Sequence, residues 1–243
     1  MLEAISQGIR VRWRARLPGC CEVCGGWTRA GLCAGCRERF CVPVARCARC
    51  AIVLPAALPC CTDCLREPPP FERCICVADY GFPWDRLISR FKYGSAPELA
   101  GPLAAALQAA ADAAGMPPPQ AFVALPLSAR RTAERGYDQA WELASRLGRR
   151  SARPAHARAL ERQRDATPQA RLPRAQRQRN LDGAFSVPAG AIASVRGCHL
   201  ALVDDVLTTG ATARAAATAL LAAGAARVDV WVVARTPAPL GEA

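Results

Sequence analysis

Two groups of residues in this 243-residue chain have types and spacings that could do chemistry. The first is a set of four Cys-x-x-Cys pairs: Cys21/Cys24, Cys33/Cys36, Cys47/Cys50 and Cys61/Cys64. A two-residue gap lets both thiolates of one tight turn face a single metal, and eight thiolates suffice for two tetrahedral four-cysteine zinc sites. Gly25 lets the chain turn beneath Cys24. The order Cys-Cys-x-x-Cys recurs at Cys20 to Cys24 and at Cys60 to Cys64, so Cys20 and Cys60 are register alternatives to Cys21 and Cys61; the x-x spacing is preferred. A disulfide cluster, or a ribbon with only one zinc site occupied, stands as the alternative. Short gaps favour pairing the first two knuckles together and the last two together, without excluding a crossed arrangement. The segment has no His, and closed four-thiolate sites keep no open position, so the zinc is expected to be structural.

The second group is the run from His199 to Thr212, in which an apolar strand ends in Asp204 and Asp205 and passes into a loop that opens a helix. Thr208, Thr209 and Thr212 offer hydroxyls, Gly210 lets backbone N–H groups approach closely, and a helix beginning near Ala211 adds its positive end. Together they form an anion cradle suited to a terminal phosphate. Acids at the carboxyl edge of a strand can accept hydrogen bonds from vicinal ribose hydroxyls, and ligands of open α/β sheets bind at that edge. A Walker loop would need a lysine before the threonines, and a dinucleotide fingerprint would need Gly-x-Gly-x-x-Gly. The bland alternative is an Asp-rich turn that only caps a helix.

The elements that must position these groups fall into three regions. Residues 18–66 are dense in cysteine, residues 67–73 form a connector stiffened by Pro68, Pro69 and Pro70, and residues 74–243 alternate strand-like and helix-like patterns. Expected strands are Cys74 to Tyr80, Ala121 to Leu125, His199 to Val203 and Val228 to Val233. Expected helices are Asp85 to Tyr93, Glu98 to Ala114, Gln139 to Leu147 and Ala211 to Ala223. Apolar strands alternating with helices indicate an α/β fold, a parallel sheet covered by helices. Residues 149–182 lack sustained periodicity and read as a long mobile basic loop.

Lys and Arg total 32 against 20 acids, a net charge of +12 that points to an anionic partner. Between Ala129 and Asn180 there are fourteen Arg and five acids, so +9 of the excess lies in that stretch; Lys92 is the one lysine of the chain. An aromatic content of 6% is too sparse for a base-stacking platform, which argues against sequence readout of nucleic acid. No run of ~18 apolar residues indicates membrane insertion, and the first 17 residues, with Arg10, Arg12, Arg14 and Arg16, lack the apolar block of a secretory signal. A cytoplasmic location follows, where clustered cysteines are read as metal ligands.

The run Val203-Asp204-Asp205 through Thr208-Thr209-Gly210-Ala211-Thr212 resembles the phosphoribosyl pyrophosphate signature of type I phosphoribosyltransferases. Pro126-Leu127 with Arg130 and Arg131 then looks like the pyrophosphate loop. Arg135-Gly136-Tyr137-Asp138-Gln139-Ala140 is similar to the Arg-Gly-Phe-Asn-Gln-Ala element of the ComF/GntX family, with Tyr and Asp replacing Phe and Asn. Arg164 to Asn180 resembles that family's hood loop, and Phe91-Lys92-Tyr93-Gly94 and the cysteine-rich front end extend the resemblance over nearly the whole chain. It implies a double zinc ribbon followed by a type I phosphoribosyltransferase domain. Asp204 and Asp205 would then act in the catalytic position on ribose hydroxyls, directly or through Mg²⁺, with Arg130 and Arg131 on pyrophosphate. Lys92 is expected as a secondary phosphate contact. Two functions are compatible: a phosphoribosyltransferase with an unidentified base or amine acceptor, or a protein that binds phosphoribosyl pyrophosphate with Mg and handles single-stranded DNA with DNA-uptake proteins during transformation.

Overall fold

The computed structural model describes residues 19–55, 58–163 and 183–238. The chain divides into two compact units, Met1–Val42 and Pro43–Ala243. This division falls inside the cysteine-dense segment, so the first two knuckles belong to one unit and the last two to the other.

In the first unit, β1 (Gly19–Cys20) pairs antiparallel with β2 (Trp27–Thr28), and α1 (Ala34–Phe40) follows. Its buried apolar residues among those described are Cys21, Leu32 and Cys36. That is too little apolar surface to hold a fold of this size without a crosslink or metal.

The second unit begins with the third and fourth knuckles, the latter opening α2 (Thr62–Arg66). Then come β3 (Cys74–Asp79), α3 (Trp84–Tyr93), α4 (Ala100–Ala113), β4 (Ala121–Ala124), α5 (Ala129–Arg135), α6 (Gln139–Ser151), β5 (Ala155–His156), β6 (Glu161–Arg162), β7 (Phe185–Ser186), α7 (Ile192–Val195), β8 (His199–Leu207), α8 (Ala211–Ala222) and β9 (Arg227–Arg235). Five strands form one parallel sheet in the order β3-β9-β8-β4-β5. Strands β4, β8 and β9 read as nearly continuous apolar runs because both faces of the sheet are covered. Phe122 and Trp231 meet edge to face at 5.4 Å in this core. Helix α6 turns Leu143, Ala144 and Leu147 inward, and α4 turns Leu103, Ala104 and Leu107 inward.

Two expectations need correction. The strand carrying the acids does not end at them: β8 continues to Leu207, because Val206 and Leu207 still pair with Ala234 and Arg235 of β9. Nor is the basic stretch one continuous loop from residue 149. Helix α6 runs to Ser151, Ala155 and His156 pair with Phe122 and Val123 at the sheet edge, and Glu161 and Arg162 pair with Ser186 and Phe185. Each of these strands is two residues long, too short for periodicity to reveal, and only its partner strand makes it visible. The hood segment Arg164 to Asn180 lies outside the described residues.

The chain leaves β4 outward to β5 but leaves β8 in the opposite direction to β9. The loops after β4 and β8 therefore flank the point where strand order reverses, where an open α/β sheet offers a ligand crevice.

Gly148 sits where α6 crosses the returning chain. A Cβ there would lie 2.7 Å from the Arg153 carbonyl oxygen and 3.1 Å from the Ala155 Cβ. An alanine inside a helix ordinarily gains roughly 1 kcal/mol over glycine. Here the obstacle is backbone, so Gly148→Ala should instead cost about 1–3 kcal/mol, as overpacking does. Thermal melting checks the sign: an unchanged or higher midpoint would contradict the close approach.

Candidate functional site

The thiols come together in two fours. Cys21, Cys24, Cys33 and Cys36 form one group and Cys47, Cys50, Cys61 and Cys64 the other, with the sulfurs of each group all within 4.8 Å of one another. The Cys24 to Cys33 and Cys50 to Cys61 sulfur separations are 3.7 and 3.6 Å. A tetrahedron with ~2.3 Å zinc–sulfur bonds has an edge of about 3.8 Å, whereas a disulfide needs ~2.0 Å. Backbone N–H groups are already aimed at the sulfurs: Cys33 donates to Cys21 Sγ at 3.4 Å and Cys61 to Cys47 Sγ at 3.3 Å. Cys33 and Cys61 each cap a helix, accepting from Cys36 and Cys64. Both groups could therefore hold zinc. Cys60 lies 3.6 Å from Cys47 but outside the foursome, and Cys20 is exposed on β1.

The protonation pattern within each group is uneven. Burial presses the Cys21 thiol upward, but the amides of Cys33, Cys24 and Val23, with the Cys24 thiol, bring it to about 6. Cys47 reaches about 6 in the same way, burial being outweighed by the amides of Cys61, Cys50 and Arg49 and the Cys50 thiol. Burial, then neighbouring cysteines, push Cys36 up to about 12. Cys64 is raised by burial and by Cys50. In each group one thiol is lowered while a buried one, Cys36 or Cys64, is raised, an uneven pattern that a bound cation would even out.

At the other site, β8 carries its acids to the crevice and gives them different surroundings. Successive strand residues face opposite sides of a sheet. Asp204 lines a cleft with Leu125, Leu202, Val206, Thr208, Gly210 and Thr212 among its walls. Asp205, buried, instead receives Lys92 Nζ at 2.8 Å. Burial, and then the Asp205 charge, raise the Asp204 carboxyl to about 8, against the opposing pull of the Asp205 amide and Lys92. The pair thus has two acids and one resident cation, so a further cation or a set of hydroxyl donors would be favoured there.

Lys92 is held by its neighbours. The Arg135 guanidinium lies 5.1 Å from the Tyr93 ring centre and donates to Gln139 Oε1 at 2.7 Å, while the Tyr137 hydroxyl donates to the Phe91 carbonyl. The Arg135-to-Asp138 stretch therefore grips the residues on either side of Lys92. Asp138 does not reach out as a ligand: its carboxylate caps α6, accepting from Trp141 N–H at 2.9 Å. Its carboxyl is raised by burial, and by Asp205, against the amides of Trp141, Leu127 and Ala140.

The remaining positions divide plainly. Gly210 has φ +79° at the start of α8, a conformation glycine adopts without strain, and Thr209 Oγ1 accepts from Ala211 N–H at 3.4 Å. Val203 is wholly buried in the sheet and Pro126 and Leu127 are half-buried after β4. Arg130 and Arg131 are exposed on α5, Arg130 pairing with Glu134 at 2.8 Å. The cleft walls thus include Asp204, Thr208, Gly210 and Thr212, but not the two arginines. Lys92, expected as a secondary phosphate contact, here pairs with Asp205. Its signal was its uniqueness among 32 basic residues.

Fold and site together define an α/β protein with a five-stranded parallel sheet, a crevice where its strand order reverses, and two four-cysteine groups. No family model matches the chain. DNA utilization protein YhgH of Escherichia coli K12 is 35% identical over 233 residues, covering 90% of this chain and 98% of that protein. The Salmonella typhi protein of the same name is 34% identical over 229 residues with the same coverage. Competence protein F of Haemophilus influenzae is 31% identical over 209 residues, 84% of this chain and 90% of its own. The chain belongs to their family, the ComF family. Among solved structures, glutamine phosphoribosylpyrophosphate amidotransferase from B. subtilis, complexed with ADP and GMP, matches 58% of this chain and 30% of its own at 20% identity and a TM-score of 0.38. No helix among the described residues is long and apolar enough to cross a membrane.

Asp204 supplies a pH test. Its folded-state value of about 8 stands above the ordinary 3.8, so between those limits the folded chain retains a proton that the unfolded chain has released, and stability falls as pH rises. Asp204→Asn should melt a few degrees higher than wild type at pH 8 to 9, with the gain shrinking toward pH 4; each kcal/mol is worth roughly 2–4 °C in a domain of this size. A gain that is independent of pH would contradict the assignment.

Proposed function

We propose that the crevice between the β4 and β8 loops binds phosphoribosyl pyrophosphate or a related ribose 5-phosphate together with Mg²⁺, and that the two four-cysteine groups hold structural zinc. The observation that carries the ligand reading is the pairing of Lys92 with Asp205 while Asp204 lines the cleft beside Thr208, Gly210 and Thr212. In this reading the loop from Thr208 to Thr212 receives the 5-phosphate through hydroxyls and backbone N–H groups at the start of α8. Asp204 and Asp205 accept the ribose hydroxyls. Mg²⁺ would supply neutralisation of the pyrophosphate oxygens. Arg130 and Arg131 stand on the exposed face of α5 after the β4 loop, within the segment assigned to pyrophosphate. Lys92, paired with Asp205 at 2.8 Å, keeps the β8 edge from accumulating two uncompensated charges.

Isothermal titration of the zinc-loaded protein with phosphoribosyl pyrophosphate and Mg²⁺ tests this, with pyrophosphate release followed in the same sample with and without pooled bases and amines. Binding is expected, and Asp204→Ala/Asp205→Ala should abolish it without loss of the sheet's circular dichroism. Wild-type affinity in that variant would overturn the assignment. Release that depends on an added acceptor would make the protein a transferase; binding without release supports a ligand-binding role in DNA handling.

The relatives named for DNA utilization and competence, the family membership and the net charge of +12 support a role with single-stranded DNA in uptake, alongside DNA-uptake proteins. Anisotropy of a labelled single-stranded oligonucleotide should show binding that weakens with salt, with a log–log slope of roughly −0.7 per phosphate neutralised. No binding at low salt would remove DNA from the proposal.

A further inference from the structure

We infer that Arg235 couples the second four-cysteine group to the anion loop, so that metal occupancy at Cys47, Cys50, Cys61 and Cys64 and the order of residues 207–212 depend on each other. Arg235 ends β9 and is 9% exposed. A guanidinium so deeply buried is costly unless its N–H groups are bonded. Its hydrogen-bond partners among the described residues are all main-chain carbonyls. Nε donates to Cys50 O at 2.9 Å, and Nη1 is directed to Leu207 O at 3.1 Å, Thr208 O at 2.5 Å and Thr236 O at 2.6 Å. One planar fork therefore joins a thiolate knuckle to the start of the loop after β8.

The two ends matter chemically. Cys50 belongs to the metal-binding foursome, so a metal that fixes its sulfur also fixes the peptide that receives Arg235. In a trans peptide the C=O and N–H point in opposite directions. Holding the Thr208 carbonyl on Arg235 therefore turns the Thr209 N–H away from it and sets the entry into the loop whose Thr208, Gly210 and Thr212 line the cleft. The knuckle has other fastenings: Cys74 N–H donates to Ala48 O at 3.0 Å, and Arg46 reaches Asp79 at 2.6 Å. Both lead to β3 rather than to the loop. Arg235 bonds to both the knuckle and the loop. The other cysteine foursome lies in the other compact unit and serves as the internal control.

The role is one of positioning, and its ligand arm rests on the phosphate-site reading above. The test uses full-length, zinc-loaded protein as wild type, Arg235→Gln, Arg235→Lys, Cys64→Ser and Cys36→Ser. It reads amide hydrogen exchange over residues 207–212, zinc release to a chromophoric chelator, and titration with phosphoribosyl pyrophosphate and Mg²⁺. Cys64→Ser should speed exchange in the loop and weaken ligand binding between about 5- and 150-fold, the usual range of coupled sites, while Cys36→Ser leaves both unchanged. Arg235→Gln should speed loop exchange and the release of one of two zincs. Lysine, a point charge without the fork, should fail to rescue it. Adding Cys64→Ser to Arg235→Gln should produce no further loop change, because the link is already cut.

Wild type alone gives a reciprocal reading that needs no variant to fold: saturating ligand should slow the release of one zinc, since a ligand that gains affinity from the metal must hold the metal more tightly in turn. Fully additive loop effects of the two variants, zinc lost from the second group with loop exchange unchanged, or zinc release indifferent to bound ligand would each overturn the coupling. If wild type binds no phosphoribosyl pyrophosphate, the ligand reading fails by itself, and the exchange and zinc-release arms still decide the role of Arg235.

Discussion

Strand β8 is sealed on both faces between β4 and β9, with Leu200 to Val203 essentially inaccessible to water, and it carries two carboxylates at the end of that dry run. The remainder of the site is arranged around this constraint. A charge at the rim of a low-dielectric layer needs a partner or gives up its ionisation. Asp205 has Lys92, brought in by the end of α3, which the Arg135-to-Asp138 stretch grips on both sides. Asp204 has the cleft and the amide of Asp205, and its carboxyl is pushed up accordingly. The same burial that stabilises the sheet thus leaves an electrostatic vacancy where the chain reverses direction, and a ligand bringing cations and hydroxyls would relieve it.

The two cysteine foursomes are alike in sequence and in geometry but different in circumstance. The first sits in a small unit whose described residues bury little apolar surface, so metal binding there would contribute folding free energy. The second is built into the unit that contains the sheet, through β3 and through the carbonyl that Arg235 holds. A thiolate knuckle placed this way can stiffen a binding loop without contacting the ligand. The ribbon and the α/β core are therefore mechanically continuous at the second knuckle pair.

Membership of the ComF family rests on identity spread over nearly the full length of the relatives. Those relatives are named for DNA utilization and competence. The described residues offer a crevice lined by Asp204, Thr208, Gly210 and Thr212 and two four-cysteine groups that could hold metal.

The spacing of the cysteines, the alternation of apolar strands with helices and the run from Val203 to Thr212 were legible without coordinates, because each is a local pattern: a tight turn facing a metal, a period of burial, a strand handing over to a helix. What lay beyond reach depended on residues distant in the chain. The continuation of β8 to Leu207 needs β9 beside it, and the two-residue strand at Ala155 needs β4. The chain-wide pattern also placed the second knuckle pair with the first, whereas contacts to β3 and β9 assign it to the unit of the sheet. Lys92 and Arg235 were visible as residue types only, one a solitary lysine and the other a charge closing an apolar strand. Their partners are 113 and 185 residues away, Asp205 and Cys50. The sequence by itself determined which cysteines could share a metal and where a strand hands over to a helix; the tertiary structure decided which charges and carbonyls meet, since a buried cation takes its partner from whichever segment the packing brings within hydrogen-bond reach.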